Sequence, residues 1–294
     1  MIHQKLPLLD NSAATLTTYI LDDGEFDRKN LVRPAVVICP GGGYNVISQN
    51  EGEPVALAYS RMGYHAFVLS YSVKIDNPFP TALLELAHAM AVIREHADEW
   101  LVDKDNISVV GFSAGGNLAL SLGIYHNQPL LNEGTGLRAS QIKPNQILLG
   151  YPAVTLEPRS EKTPDFVIEL MEKGLMPDMR GPSIREILMG KENLSDEEKD
   201  SLNLLHYIHS ELPRTFIWGT YQDTVILPTD LFGLAEALFR NEVPCELHMF
   251  EKGPHGMSLA DETVKAAEQL QHLHLSEWFQ LSVKWLKQGV GRSE

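Results

Sequence analysis

Residues 107–122 read ISVVGFSAGGNLALSL. A run of apolar and β-branched residues leads into Gly111, Ser113 stands between Gly111 and Gly115, and an Ala/Leu-rich segment follows. The apolar run ending at glycine predicts a buried strand, and the segment after it predicts a helix. Ser113 then falls on the tight turn between the two, where a hydroxyl is presented clear of both elements. The pattern G-x-S-x-G fixes only three residue types, and at average glycine usage about one chain in ten of this length matches it by chance. The surrounding sequence has to decide between a nucleophile and a small residue in a glycine bend.

Outward from this stretch, strand and helix patterns alternate. TLTTYIL (15–21) is rich in β-branched residues and reads as an early strand. AVVICP (35–40) is a short continuous apolar run closed by Pro40 and three glycines, as in a buried parallel strand. EPVALAYSRMG (53–63) has helix spacing and ends at a glycine, and HAFVLSYSV (65–73) is another buried strand. Apolar residues recurring at three and four over 83–100 predict one long amphipathic helix. QILLGYPAV (146–154), RTFIWG (214–219) and CELHMF (245–250) add strands, and 231–243 and 277–287 add helices. The alternation predicts an α/β fold, a mainly parallel sheet flanked by helices on both faces. Residues 156–206 break the rhythm, being polar, punctuated by proline and too long for an ordinary connection. They are expected to form a helical cap inserted into a single domain spanning 1–294.

The chain has 294 residues, 44% hydrophobic and 21% charged, with a formal net charge of −15. This composition suits a folded globule, and the acidity argues against a nucleic-acid partner. The N-terminal MIHQKLPLLD lacks the long apolar core of a signal peptide, and no stretch approaches 18 apolar residues. A cytoplasmic protein without a membrane partner is expected. Cys39 and Cys245 are too few for a disulfide framework, and their apolar strand-like settings predict buried free thiols. An exposed helix or edge strand leaves room for a homo-oligomer.

A serine hydroxyl is a poor nucleophile, so Ser113 needs a base and an acid to orient that base. Of eleven histidines, His88, His96 and His126 fall on predicted helices and His248 inside a strand. His206 and His209 have a spacing that can bind metal but no further ligand cluster, and His272 and His274 sit two apart. His255 follows the strand CELHMF in the loop K-G-P-H-G, where it can reach the carboxyl edge of the sheet. Asp223 lies in a loop just past the strand RTFIWG, whereas its rivals Asp230 and Asp261 read as carboxylates at helix starts. The chain order Ser113, Asp223, His255 is that of an α/β-hydrolase triad. After the early strand, CPGGGYN (39–45) can present glycine N–H groups to a developing oxyanion. Gly42 and Gly43 are the candidates, with the N–H of Ala114 as third donor. The competing use, a phosphate cradle, lacks the G-x-x-x-x-G-K-[ST] and G-x-G-x-x-G spacings. Tyr44, with Phe166 and Met176 of the cap, is expected to bound the substrate pocket.

With PGGGY (40–44), GFSAGGNLA (111–119), FIWGTYQDTVI (216–226) and EKGPHGMSLA (251–260), the sequence resembles the α/β-hydrolase superfamily. More narrowly it is similar to the esterase/lipase branch related to hormone-sensitive lipase, particularly its acetyl-esterase and xylan-esterase-like members. The resemblance covers nearly the whole chain outside 156–200. It implies Ser113 as nucleophile, His255 as base and then acid, Asp223 as its orienter, and an oxyanion hole at Gly42, Gly43 and Ala114. No metal or organic cofactor is implied, and the partner is a small-molecule ester. The expected activity is hydrolysis of short-chain acyl esters, with acetylated carbohydrate preferred. An arylformamidase-like amidase, a small peptidase and a non-catalytic ligand-binding relative are the alternatives. One departure stands out: P-G-G-G replaces the H-G-G-G of lipase relatives, and Pro40 cannot make the side-chain hydrogen bonds of a histidine there.

Overall fold

The computed structural model describes residues 1–22, 30–156, 169, 173, 182–264 and 274–288. Among them, eight strands form one sheet: β1 (Lys5–Pro7), β2 (Thr15–Tyr19), β3 (Arg33–Cys39), β4 (His65–Ser70), β5 (Val102–Phe112), β6 (Gln146–Gly150), β7 (Arg214–Thr220) and β8 (Cys245–Phe250). The spatial order is β1-β2-β4-β3-β5-β6-β7-β8. β1, β2 and β4 pair antiparallel, and from β4 across to β8 every pairing is parallel.

The continuous apolar runs have a direct cause in the packing. Along β3, Ala35, Val37 and Cys39 enter the core on one face, with Leu86 and Leu118, while Val36 and Ile38 enter the other, with Tyr59 and Trp278. Helices cover both faces, so neither side of a central strand meets water and the polar alternation of a half-exposed strand is missing. The first face is covered by α2 (Thr81–Glu95) and α4 (Ala114–Tyr125), the second by α1 (Glu53–Arg61) and the helix Glu277–Gln288. α2 buries Leu83, Leu86, Ala87, Met90 and Ile93, the stripe read from the sequence. Each large side chain so buried contributes about 1.5–3 kcal/mol. The helix expected over 83–100 is divided, because the chain turns at His96 (φ −91°, ψ 9°) before the short α3 (Ala97–Trp100).

Register sets up the functional edge. Cys39 of β3 pairs with Gly111 of β5, Phe112 of β5 with Gly150 of β6, and Gly150 with Trp218 of β7. These strands end side by side, and the segments leaving them emerge along one carboxyl edge.

Three further elements lie outside the expectation. β1 has three residues, one a proline, too few to show a period. The helix Pro129–Thr135 contains Gly134, and Ala139–Ile142 is a single turn, so neither carries an apolar stripe. Cys245 is exposed, a correction to the predicted buried thiol, because it opens the edge strand β8; Cys39 is buried. Within 156–206, the described residues form helices Ile184–Met189 and Asp196–Ser201, each with a Ser/Glu capping box. Phe79 N–H donates to Leu188 O at 2.8 Å, joining the first of these to the loop after β4. Phe166 and Met176 lie outside the described residues, as does His272. No described helix is long and apolar enough to cross a membrane.

Candidate active site

Ser113 is the single residue between β5 and α4, with φ 50° and ψ −117°. A non-glycine residue at positive φ stores about 1–3 kcal/mol, so the surroundings must hold it. Its N–H donates to Gly150 O at 3.0 Å, and its carbonyl accepts from Asn117 N at 3.0 Å and Ala153 N at 3.1 Å. The glycines around it are a matter of space. A Cβ on Gly115 would stand 2.0 Å from Cys39 O, and one on Gly111 would stand 2.2 Å from Gly115 O. The turn is thereby pressed against the end of β3.

The loops after β7 and β8 are locked together by Thr220 Oγ1 donating to Gly253 O at 2.6 Å. Asp223, 2% exposed, uses Oδ1 to accept from Val225 N at 2.8 Å and Ile226 N at 2.9 Å. Its Oδ2 lies 2.8 Å from His255 Nδ1, and His255 Nε2 lies 2.9 Å from Ser113 Oγ. A carboxylate only accepts, so Nδ1 carries the hydrogen, and in the neutral form of the ring the Nε2 lone pair faces the serine hydroxyl. The structure thus brings Ser113, His255 and Asp223 into one chain of contacts from three separate loops. The two rival acids sit elsewhere. Asp230 is in the first turn of the helix Pro228–Arg240 and accepts from Thr155 Oγ1, and Asp261 accepts from Thr263 N.

The glycine loop is organised by where its carbonyls go. Pro40 O accepts from Tyr71 Oη at 2.7 Å, Gly41 O from Ser48 N at 3.0 Å, and Gly42 O from Asn45 N and Val46 N. Gly41 N–H donates to Glu51 Oε2 at 2.7 Å. The N–H groups of Gly42, Gly43 and Ala114 have no acceptor among the described residues. Gly42 has φ 122°, and a Cβ there would stand 2.0 Å from Val46 O; a Cβ on Gly41 would stand 3.0 Å from Ser113 Cβ. The loop with Pro40 in place of histidine is therefore anchored from Tyr71 and Glu51, on both ends of the Pro40–Gly41 peptide. Tyr44 is buried at φ 57°, with Oη donating to Asn117 Oδ1 at 2.9 Å. Burial pushes its phenol well above the ordinary range.

Several histidines have other partners. His126 Nδ1 contacts Gly123 O at 2.8 Å, with burial lowering its pKa, and His209 Nε2 contacts Ile124 O at 2.9 Å. No group of three or more metal-ligating side chains converges among the described residues. Sequence reasoning missed Glu51, Tyr71, Tyr151 and Ser258, all buried beside the site. Glu51 sits in the polar run ISQNEGEP, which reads as a solvated turn, and no local pattern marks it as internal.

The BD-FAE family profile matches residues 26–238, taking in the glycine loop, Ser113 and Asp223. The chain belongs to the BD-FAE family. It is 27% identical over 233 residues to endo-1,4-beta-xylanase B of Butyrivibrio fibrisolvens, covering 78% of this chain and 33% of that protein. It spans less than half the length of the curated relatives it matches. Among solved structures, the acetyl ester-xyloside bifunctional hydrolase from Caldicellulosiruptor lactoaceticus superposes with a TM-score of 0.74 at 27% identity, over 97% of this chain and 96% of that one. The carboxylesterase Cest-2923 from Lactobacillus plantarum WCFS1 gives a TM-score of 0.80 at 24% identity, over 98% of both chains. The fold is that of the α/β-hydrolases, as the resemblance implied.

Proposed function

We propose that the protein is a serine carboxylesterase acting on short-chain acyl esters, with acetyl groups on carbohydrate as the preferred substrates. The observation that carries this reading is the 2.9 Å approach of His255 Nε2 to Ser113 Oγ, with three nearby amides that have no acceptor among the described residues. Ser113 Oγ attacks the ester carbonyl carbon, and its proton passes to His255 Nε2. Asp223 stabilises the imidazolium through Nδ1. The carbonyl oxygen becomes an oxyanion received by the N–H groups of Gly42, Gly43 and Ala114, each worth about 2.7–4 kcal/mol when such donors are removed singly. Collapse expels the alcohol, which takes the proton from Nε2 and leaves an acyl group on Ser113. Water, deprotonated by the same nitrogen, then releases the acid.

The residues around this chemistry have supporting parts in the same reading. The described residues of segment 156–206 belong to the cap of a single domain, and Tyr44 is an apolar wall of the glycine loop rather than a polar contact, since its hydroxyl is engaged by Asn117. The carbohydrate preference is supported by the acetyl ester-xyloside hydrolase and xylanase names among the similar proteins. The test is a side-by-side assay of acetyl and butyryl aryl esters, acetylated xylo-oligosaccharides, formylkynurenine and peptidyl amides. Turnover is expected on the acetyl esters, with the oligosaccharides cleaved best. Faster cleavage of formylkynurenine or of amides than of any ester contradicts the assignment.

A further inference from the structure

A buried polar chain runs between the glycine loop and the histidine loop, and the acyl-transfer steps above make no use of it. Glu51, 3% exposed, lies on the turn before α1. Its Oε2 accepts from Gly41 N–H at 2.7 Å and its Oε1 accepts from Tyr151 Oη at 2.6 Å. The Tyr151 oxygen in turn accepts from Ser258 N–H at 2.9 Å, and the Tyr151 ring meets the His255 imidazole edge-on, with centroids 4.9 Å apart. Ser258 is wholly buried: its Oγ donates to Asn50 O at 2.6 Å and its carbonyl accepts from Trp278 Nε1 at 2.8 Å. The adjacent residues Asn50 and Glu51 thus hold both loops that flank Ser113.

We propose that Glu51 and Tyr151 are a pair of positioning residues that set the oxyanion donors and the His255 imidazole in a fixed mutual geometry. The proposal rests on reading Ser113 as the nucleophile. Satisfying Gly41 N–H alone needs only one neutral acceptor, which any carbonyl could supply. A carboxylate buried here is explained by two donors arriving on its two oxygens, a backbone N–H and a phenol O–H. Burial and the neighbouring carboxylate push the Tyr151 phenol well above its ordinary range, so it keeps its proton and remains a donor to Glu51.

A carboxamide at position 51 separates the two duties. In Glu51→Gln the amide oxygen still serves Gly41, but the NH₂ faces Tyr151 Oη and the phenol proton loses its acceptor. Tyr151→Phe breaks the same link from the other side. Because the link orders groups that act on the transition state, its loss lowers kcat and leaves KM nearly unchanged.

The experiment compares wild type, Glu51→Gln, Tyr151→Phe and the double variant, by kinetics on an acetyl aryl ester and by hydrogen exchange of segments 40–52 and 251–260. Each single variant is expected to lose about 10- to 100-fold in kcat with KM within about threefold, the scale of a small misplacement of catalytic groups. The double variant is expected to be no slower than about the worse single, since both cut one connection. Exchange in 251–260 should rise in Glu51→Gln as it does in Tyr151→Phe. Faster exchange confined to 40–52, losses that multiply in the double variant, or kcat within about twofold of wild type overturns the pairing. If Glu51→Gln does not fold, Tyr151→Phe carries the same readouts, with 40–52 as the distant segment. If wild type cleaves no ester, the esterase reading fails, and the exchange pattern still decides whether the loops are coupled.

Discussion

Two glycine-rich turns leave neighbouring parallel strands, both crowded at a glycine, and they differ in whether side chains tether them. The turn at 111–116 follows β5 and is shaped by contact: added Cβ atoms at Gly111 and Gly115 would lie 2.2 and 2.0 Å from backbone oxygens. The loop at 40–46 follows β3 and, besides the close contact at Gly42, is tethered by side chains: Tyr71 donates to Pro40 O and Glu51 accepts from Gly41 N–H. The first presents a hydroxyl and the second presents amides, and the two meet where Gly41 approaches Ser113. Contact makes both turns intolerant of volume at these glycines. Tethers make the second sensitive as well to chemistry at residues far along the chain.

The largest expected effect removes the first turn's hydroxyl and spares its shape. Ser113→Ala should fold with an unchanged melting temperature and lose on the order of 10³–10⁶ in kcat. Next, Gly115→Ala breaks the shape. With backbone 2.0 Å from the new Cβ, a destabilisation of about 4 kcal/mol or more is expected in denaturant titration. A loss under about 1 kcal/mol would mean that β3 and the turn can part easily. The tethered loop should respond differently. Tyr71→Phe leaves Pro40 O without its 2.7 Å donor and should cost about 1–3 kcal/mol. Its kcat on an acetyl aryl ester should fall further than its stability explains, whereas unchanged kcat would show that the loop needs no anchor at Pro40. The smallest effect samples the strands below. A maleimide should label Cys245 in the native protein and Cys39 only after unfolding, because Cys39 is fully buried. Partial burial raises the Cys245 thiol above its usual range, so less thiolate is present at neutral pH and its labelling should run slower than that of free cysteine and quicken as pH rises.

The same contrast explains what could be read from the residues in chain order. Ser113, Asp223 and His255 were legible because each follows a strand pattern directly and parallel strands bring such loops to one edge. Gly42 and Gly43 were legible as glycines of a loop after an early strand, and their N–H groups have no acceptor among the described residues. Their holders were not: Tyr71 lies 31 positions from Pro40, and Tyr151 lies 100 positions from Glu51. Side-chain tethers across such separations leave no periodic trace. Cys245 misled for a related reason, since apolar neighbours mark a strand without saying that it lies at the sheet's edge. The three-residue β1 has no period to detect.

The central claim, a covalent acyl-enzyme on Ser113, is tested most directly by intact-mass and peptide analysis of protein treated with a fluorophosphonate. One adduct per chain, on the peptide containing Ser113 and absent from Ser113→Ala, is the predicted result. An adduct on another residue, or esterase activity that survives in Ser113→Ala, would contradict it.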